Sequence, residues 1–281
     1  MTFLLTLTAL VAFAANSILC RLALGNGSID AIGFTALRLI SGAFVLWGLI
    51  GCSRGKWRGG GNGSWTSGFS LFVYAAAFSF AYVTLGAGTG ALILFGSVQI
   101  TMLSTALLRG ERLRAFQWIG FIMALTGLVF LVSPGLKAPS PLGSALMIAA
   151  GIAWGAYSLR GRNVKDPVAV TADNFARSMI FVAPLIGVGL LRGLHATPMG
   201  ALWAILSGAV TSGLGYAFWY AALRGMNATM GAIVQLSVPI LAAAGGILLL
   251  GEHPTFRLLL STISTLGGVG LVVAARKNPA E

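Results

Sequence analysis

Arg38, within Thr35 to Phe44 (TALRLISGAF), and Arg177, within Asp173 to Val182 (DNFARSMIFV), are charged groups in surroundings otherwise fit for hydrocarbon. A charge near the middle of a bilayer span costs at least about 2.5 kcal/mol even on lenient insertion scales, so each needs a partner or a way out. Asp173 lies one helical turn before Arg177 and offers a local partner, whereas Phe34 holds the matching place before Arg38. Side and depth in the membrane also allow Arg38 with Glu252 and Arg177 with Glu111. Snorkelling of both long side chains towards an interface is the alternative.

A second group could receive a small molecule. Tyr74, Phe78 and Tyr82 recur every four residues and so share one helix face. Trp154 with Tyr157, and Tyr216 with Trp219, repeat the pattern on two other apolar stretches. Asn16, Ser97, Gln99, Thr101, Gln235 and Ser237 are neutral donors and acceptors near mid-span, of the kind a zwitterion needs. Helix packing and interhelical glue are the ordinary readings of these same residues. Ser97 with Thr101 and Gln99 point to different sides of one helix, so they cannot all line one cavity.

Catalytic chemistry finds little to work with. Asp30, Asp166 and Glu281 fall in loops or the tail, and His195 and His253 fall in loops. An intramembrane aspartyl or metal enzyme would need carboxylates paired in mid-span, so no enzyme activity, metal or cofactor is expected. Cys20 and Cys52 fall at opposite ends of the first two apolar runs and cannot bridge.

The elements that must position these residues follow from composition. Of 281 residues 57% are hydrophobic and 9% charged, against roughly 25% charged in a soluble domain. Apolar runs near 2–22, 31–51, 67–85, 89–108, 114–133, 141–160, 169–191, 199–221, 228–250 and 256–275 each suit one transmembrane helix. The short connections leave no room for a soluble domain.

The net charge of +12 does not mean nucleic acid, because the cations sit between spans rather than on a soluble face. One side collects Arg54, Lys56, Arg58, Arg109, Arg112 and Arg114, among others, while the other holds Arg21, Lys137, Arg192 and Arg257. The positive-inside rule then puts both termini in the cytoplasm. Ala12 to Ala15 could imitate a signal cleavage site, but no basic segment precedes it.

The two arginines recur at 177 − 38 = 139, and Gly110-Glu111 recurs as Gly251-Glu252 at 251 − 110 = 141. Gly90-Ala91 likewise recurs as Gly231-Ala232. The sequence thus reads as a duplication, residues 1–136 and 140–281, joined by the proline-rich stretch Ser133 to Pro141. Five spans per half is an odd number, so the second half enters the membrane from the opposite side. Inverted repeats of this kind are typical of secondary transporters.

Ten spans in two halves, with LLRGERL and LLLGEHP closing the fourth span of each and a glycine-rich fifth following, resemble the drug/metabolite transporter superfamily, in particular its EamA-type exporters. Size and aromatic content are most similar to bacterial exporters of aromatic amino acids. The resemblance implies an all-α integral membrane fold, ten helices in two inverted five-helix repeats around a central cavity walled by the first, third, fourth, sixth, eighth and ninth. One departure is Val98, where the second half has Pro239.

On this resemblance the candidate substrate-binding residues are Asn16, Tyr74, Phe78, Tyr82, Gln99, Trp154, Tyr157, Tyr216, Trp219 and Gln235. Arg38, Glu252, Arg177, Glu111 and Asp173 are expected as structural charges. The expected protein is a monomeric, multi-pass exporter of the bacterial inner membrane, moving small neutral metabolites, aromatic amino acids among them. The alternatives are a multidrug, nucleoside or cationic-dye exporter, a channel, or a structural membrane protein. Small-multidrug exporters use a carboxylate in the first helix of each unit, which Thr2 to Leu22 and Pro141 to Arg160 lack.

The orientation is testable. In a background without Cys20 and Cys52, single cysteines at Gly60 and Pro167 are expected to label only from the cytoplasm, and one at Ala138 only from outside. Outside labelling at both Gly60 and Pro167 would invert the topology, and labelling at only one of them would remove a span.

Overall fold

The structure, a computed structural model, describes residues 2–54, 63–108, 110, 113–135, 138–161, 164–223 and 234–275. These residues form α1 (Thr2–Gly25), α2 (Ala31–Arg54), α3 (Trp65–Tyr82), α4 (Ala87–Leu108), α5 (Ala115–Val132), α6 (Pro141–Gly161), α7 (Pro167–Arg192), α8 (Pro198–Leu223), α9 (Ser237–Leu250) and α10 (Phe256–Ala275). Eight are long and apolar enough to cross a membrane. The exceptions are α3, where Ser and Tyr interrupt the apolar residues, and α9, whose described part has 14 residues. Among the described residues there is no strand, and an isolated antiparallel bridge, Ile29 with Ala196, joins two loops.

The helices start where local chemistry says they should. Pro141, Pro167 and Pro198 occupy first-turn positions, where a missing N–H costs nothing. Ser64, Asp166 and Thr197 cap α3, α7 and α8 by accepting from the backbone N–H of Ser67, Ala169 and Gly200. Apolar residues then fill both the interior and the outer faces. Phe44, Phe116 and Leu248 are among the large exposed side chains, which suits a bundle surrounded by hydrocarbon.

Helix pairing follows a regular scheme. α3 packs on α6 and α7, and α8 packs on α1 and α2. α4 packs on α6, and α9 on α1. The remaining large contacts are α2 with α7, α4 with α9 and α5 with α10. The last is close because Gly120 and Gly268 face each other, a Cβ on either meeting the other's carbonyl.

One end of the bundle, the end of the α1–α2 and α7–α8 loops, is fastened by polar groups. Glu252, just past α9, accepts from the Ala87 N–H at 2.8 and 2.9 Å, and so satisfies the first amide of α4. Arg21 lies 3.7 Å from Glu252 and donates to the carbonyls of Tyr82 and Val83 at 3.2 Å, closing the C-terminal end of α3. Nearby, Asp30 accepts from the backbone of Gly33 and His195, and Thr197 donates to the Ser28 carbonyl. These bonds tie the α1–α2 loop to the α7–α8 loop.

The expected Arg38–Glu252 pair is therefore corrected. Arg21 stands at the depth of Glu252, whereas Arg38 is two turns into α2 and donates to Tyr74 and Ser212 instead.

Glu252 should matter more than its ion-pair partner. Glu252→Ala removes the acceptor of a helix N-terminus and is expected to cost about 1–2 kcal/mol, whereas Arg21→Ala should cost at most about 1 kcal/mol. Thermal unfolding of both variants in detergent measures the order. Equal or reversed losses would make the ion pair, not the cap, the fastening.

Candidate functional site

The site is built around Arg38, which is 1% exposed. Its Nη2 donates to the Tyr74 hydroxyl at 3.0 Å and its Nε to Ser212 Oγ at 3.3 Å. The guanidinium carbon stands 5.1 Å from the Tyr74 ring centre and 4.8 Å from that of Phe78, within range for cation–π attraction. Nη1 is buried and has no acceptor among the described residues.

The acceptors come from α3 and α8, and α8 has to deform to supply one. Its residues Ser207–Leu214 form a π-helical segment. Segments of this i→i+5 kind are rare and often mark functional positions. Gly208 lets the segment lie on α2, since a Cβ there would meet the Arg38 carbonyl and Ser41. From the same segment Ser207 and Thr211 donate to Asn16 Oδ1 at 2.6 and 3.1 Å, tying α8 to α1.

Beside Arg38 lies a narrow gap between the helices. Its wall is Phe13, Asn16 and Ser17 of α1, Tyr74 and Phe78 of α3, Leu94 and Phe95 of α4, Trp154 of α6, and Thr211, Ser212 and Tyr216 of α8. The clear space left between these side chains fits about one water, so the site is occluded. Rings form a continuous surface: Tyr74 is 4.8 Å from Trp154, and Trp154 is 5.0 Å from Tyr216. Such a surface can hold a flat apolar group, and the hydroxyls and the Asn16 amide can orient a polar one.

A second narrow gap lies towards the predicted inner end. Its wall includes Ser67, Tyr157, Arg160, Thr171, Asn174 and Tyr220. Trp154 borders the first gap and Tyr157 the second, and the two rings stack at 5.5 Å between them. Asn174 and Thr171 hold the Tyr157 hydroxyl at 3.5 and 3.4 Å.

The candidates named from sequence distribute unevenly. Asn16, Tyr74, Phe78, Trp154 and Tyr216 meet at the central gap, and Tyr157 lines the second. Tyr82 sits beyond Phe78, at 4.7 Å between ring centres, and donates to the Ala87 carbonyl, so it seals rather than lines the gap. Trp219 packs on Phe13 at 5.8 Å. Gln99 and Gln235 are half-buried and line neither gap.

Phe13, Ser17, Phe95, Thr211 and Ser212 were not anticipated. The run of small polar residues in Ser207 to Gly213 was the available signal, but a reading at 3.6 residues per turn does not find a π segment.

Arg177 behaves unlike Arg38. It lies over Trp65 at 4.9 Å, and its Nε has no acceptor among the described residues. The expected Arg177–Asp173 ion pair is absent, because Asp173 accepts instead from the Gly63 N–H at 3.3 Å, while Asn174 accepts from the Ser64 N–H. Glu111, its other expected partner, lies outside the described residues.

Comparison with known proteins agrees with this architecture. The EamA-like transporter family matches residues 141–274. An uncharacterized protein of Pseudomonas aeruginosa is 52% identical over 275 residues, covering 98% of this chain and 95% of that one. An uncharacterized transporter of Archaeoglobus fulgidus is 27% identical over 70% of this chain and 71% of its own. A protein of Escherichia coli K12 named as a probable amino-acid metabolite efflux pump is 25% identical over 72% of this chain and 74% of its own. A crystal structure with a TM-score of 0.66 and 19% identity covers 99% of this chain and 98% of that one, and shares the fold. With helices made for a bilayer, a narrow gap between them and relatives of this kind, the chain carries an EamA-like transporter family domain over residues 141–274.

Proposed function

We propose that this protein is an exporter of small, partly apolar metabolites, aromatic amino acids among them, working by alternating access between two inverted five-helix repeats, 1–136 and 140–281. The observation that carries the reading is the central gap, whose wall draws on α1, α3 and α4 of the first repeat and on α6 and α8 of the second. A site shared by both repeats changes its access when one half moves on the other.

The pairing scheme supports the inverted repeat. Exchanging each helix for the one five places along turns α3 on α6 into α8 on α1, and α3 on α7 into α8 on α2. It turns α4 on α6 into α9 on α1, and returns α2 with α7, α4 with α9 and α5 with α10 unchanged. Two halves related by a pseudo-twofold axis in the membrane plane produce such a scheme.

The substrate class rests on the wall. A flat ring gains roughly 0.5–1.5 kcal/mol beyond area burial from a well-placed aromatic neighbour. Phe78→Ala or Trp154→Ala, in protein shown to be folded, is therefore expected to lower phenylalanine or tryptophan flux in proteoliposomes several-fold, and alanine or threonine flux less. Trp118, 44% exposed on α5, serves as control, and Trp118→Ala should leave both nearly unchanged. Equal losses for every solute would make the stripe helix packing and remove the aromatic-substrate reading.

A further inference from the structure

The geometry points to Arg38 as the group that binds a carboxylate of the substrate, so that the cargo of the central site is a small aromatic monocarboxylate whose α-ammonium is not needed for recognition. This rests on the reading of the gap as a transport site and adds the charge its substrate must carry.

A guanidinium has five donors and no acceptor, and in a dry interior it calls for an anion. Arg38 receives only two neutral hydroxyls, Tyr74 and Ser212, and keeps Nη1 without an acceptor. No carboxylate stands in for the anion: its ion pair with Glu252 is absent, and among the described residues no Asp or Glu lines the central gap. The charge is thus uncompensated in this conformation, held by hydroxyls and ring faces that are weaker partners than an anion.

Those partners are also the route to the substrate. Arg38 is not itself in the wall, but Tyr74, Phe78 and Ser212, all touching it, are. It stands one side chain behind the gap. A carboxylate entering beside Tyr74 takes the place of the hydroxyls and forms the forked pair that a planar guanidinium favours, while the ring of the same molecule lies on Trp154 and Tyr216.

Two features narrow the class. Among the described residues no cation lines the gap itself, so with Arg38 behind the wall a dianionic phosphate would leave one charge unmatched. Among the described residues an ammonium group gains no acid there, and Asn16 Oδ1 already accepts from Ser207 and Thr211. A substrate keeping the carboxylate and lacking the amine is therefore favoured over the converse.

The test uses the whole protein in proteoliposomes at neutral pH. Uptake of labelled phenylalanine is competed with 3-phenylpropionate, which lacks the amine, and with 2-phenylethylamine, which lacks the carboxylate. The acid is expected to compete at least about ten-fold better than the amine. Arg38→Gln should abolish that preference and Arg38→Lys keep part of it, since lysine retains the charge without the fork. Independently of any variant, 3-phenylpropionate should raise the unfolding temperature of the wild-type protein in detergent and 2-phenylethylamine should not.

Equal competition by acid and amine, or an acid preference that survives in folded Arg38→Gln, would overturn the assignment while leaving the exporter reading intact. A carboxylate-specific thermal shift without transport of any of these solutes would do the reverse. No shift and no transport would overturn both.

Discussion

The arrangement depends on what it takes to keep one guanidinium away from water. Arg38 is held by a hydroxyl from α3, a hydroxyl from α8 and two aromatic faces from α3, so three helices are fixed relative to one another by a single side chain. The constraint reaches the backbone. Ser212 belongs to the π segment of α8, and Gly208 in that segment lets α8 lie against the Arg38 carbonyl. Burial of the charge, the deformation of α8 and the close packing of α2 on α8 form one device.

The same device explains why the aromatic wall is continuous. Tyr74 gives Arg38 its hydroxyl and gives the gap its ring, which touches Trp154, which touches Tyr216. Neutral hydroxyls weaken the cost of the buried charge without cancelling it, because a hydrogen bond from a charged donor is stronger to an anion than to a hydroxyl. On the proposed assignment, a conformation held this way yields to one in which a substrate carboxylate is present. On that proposal, closure of the gap and affinity for cargo use the same atoms.

The sequence disclosed the elements more readily than the contacts. Runs of apolar residues found the helices because hydrocarbon burial depends on composition alone, and the stripe Tyr74–Phe78–Tyr82 named α3 as a wall because three rings four residues apart must share a face. Tyr82 shows the limit: the face was right, but its depth puts it at Ala87, past the gap. The partner of Glu252 was misread for a related reason. Arg21 and Arg38 both lie towards the same end of the bundle, and only the tilt and packing of helices decide which one arrives. Phe13 and Phe95 could not be told from any other apolar residue of their spans, since a lone ring carries no pattern.

The repeats differ where the site needs them to. Arg38 and Arg177 hold matching places in the proposed duplication, yet one is sealed beside the gap and the other lies over Trp65. At the observed offsets of 139 to 141, the counterpart of Tyr74 falls between 74 + 139 = 213 and 74 + 141 = 215, and Gly213, Leu214 and Gly215 carry no hydroxyl. Arg177 therefore has no equivalent acceptor to draw it inward. The second repeat instead spends those positions on the small, deformable segment that delivers Ser212 to Arg38. On the proposed duplication, two charged helices arose together, and the divergence of their neighbours left one charge behind the wall of a gap that both halves line. On the proposed mechanism, the halves exchange shapes around a single anion receptor, Arg38. That proposal requires one receptor to serve both access states, as a site shared between two repeats does.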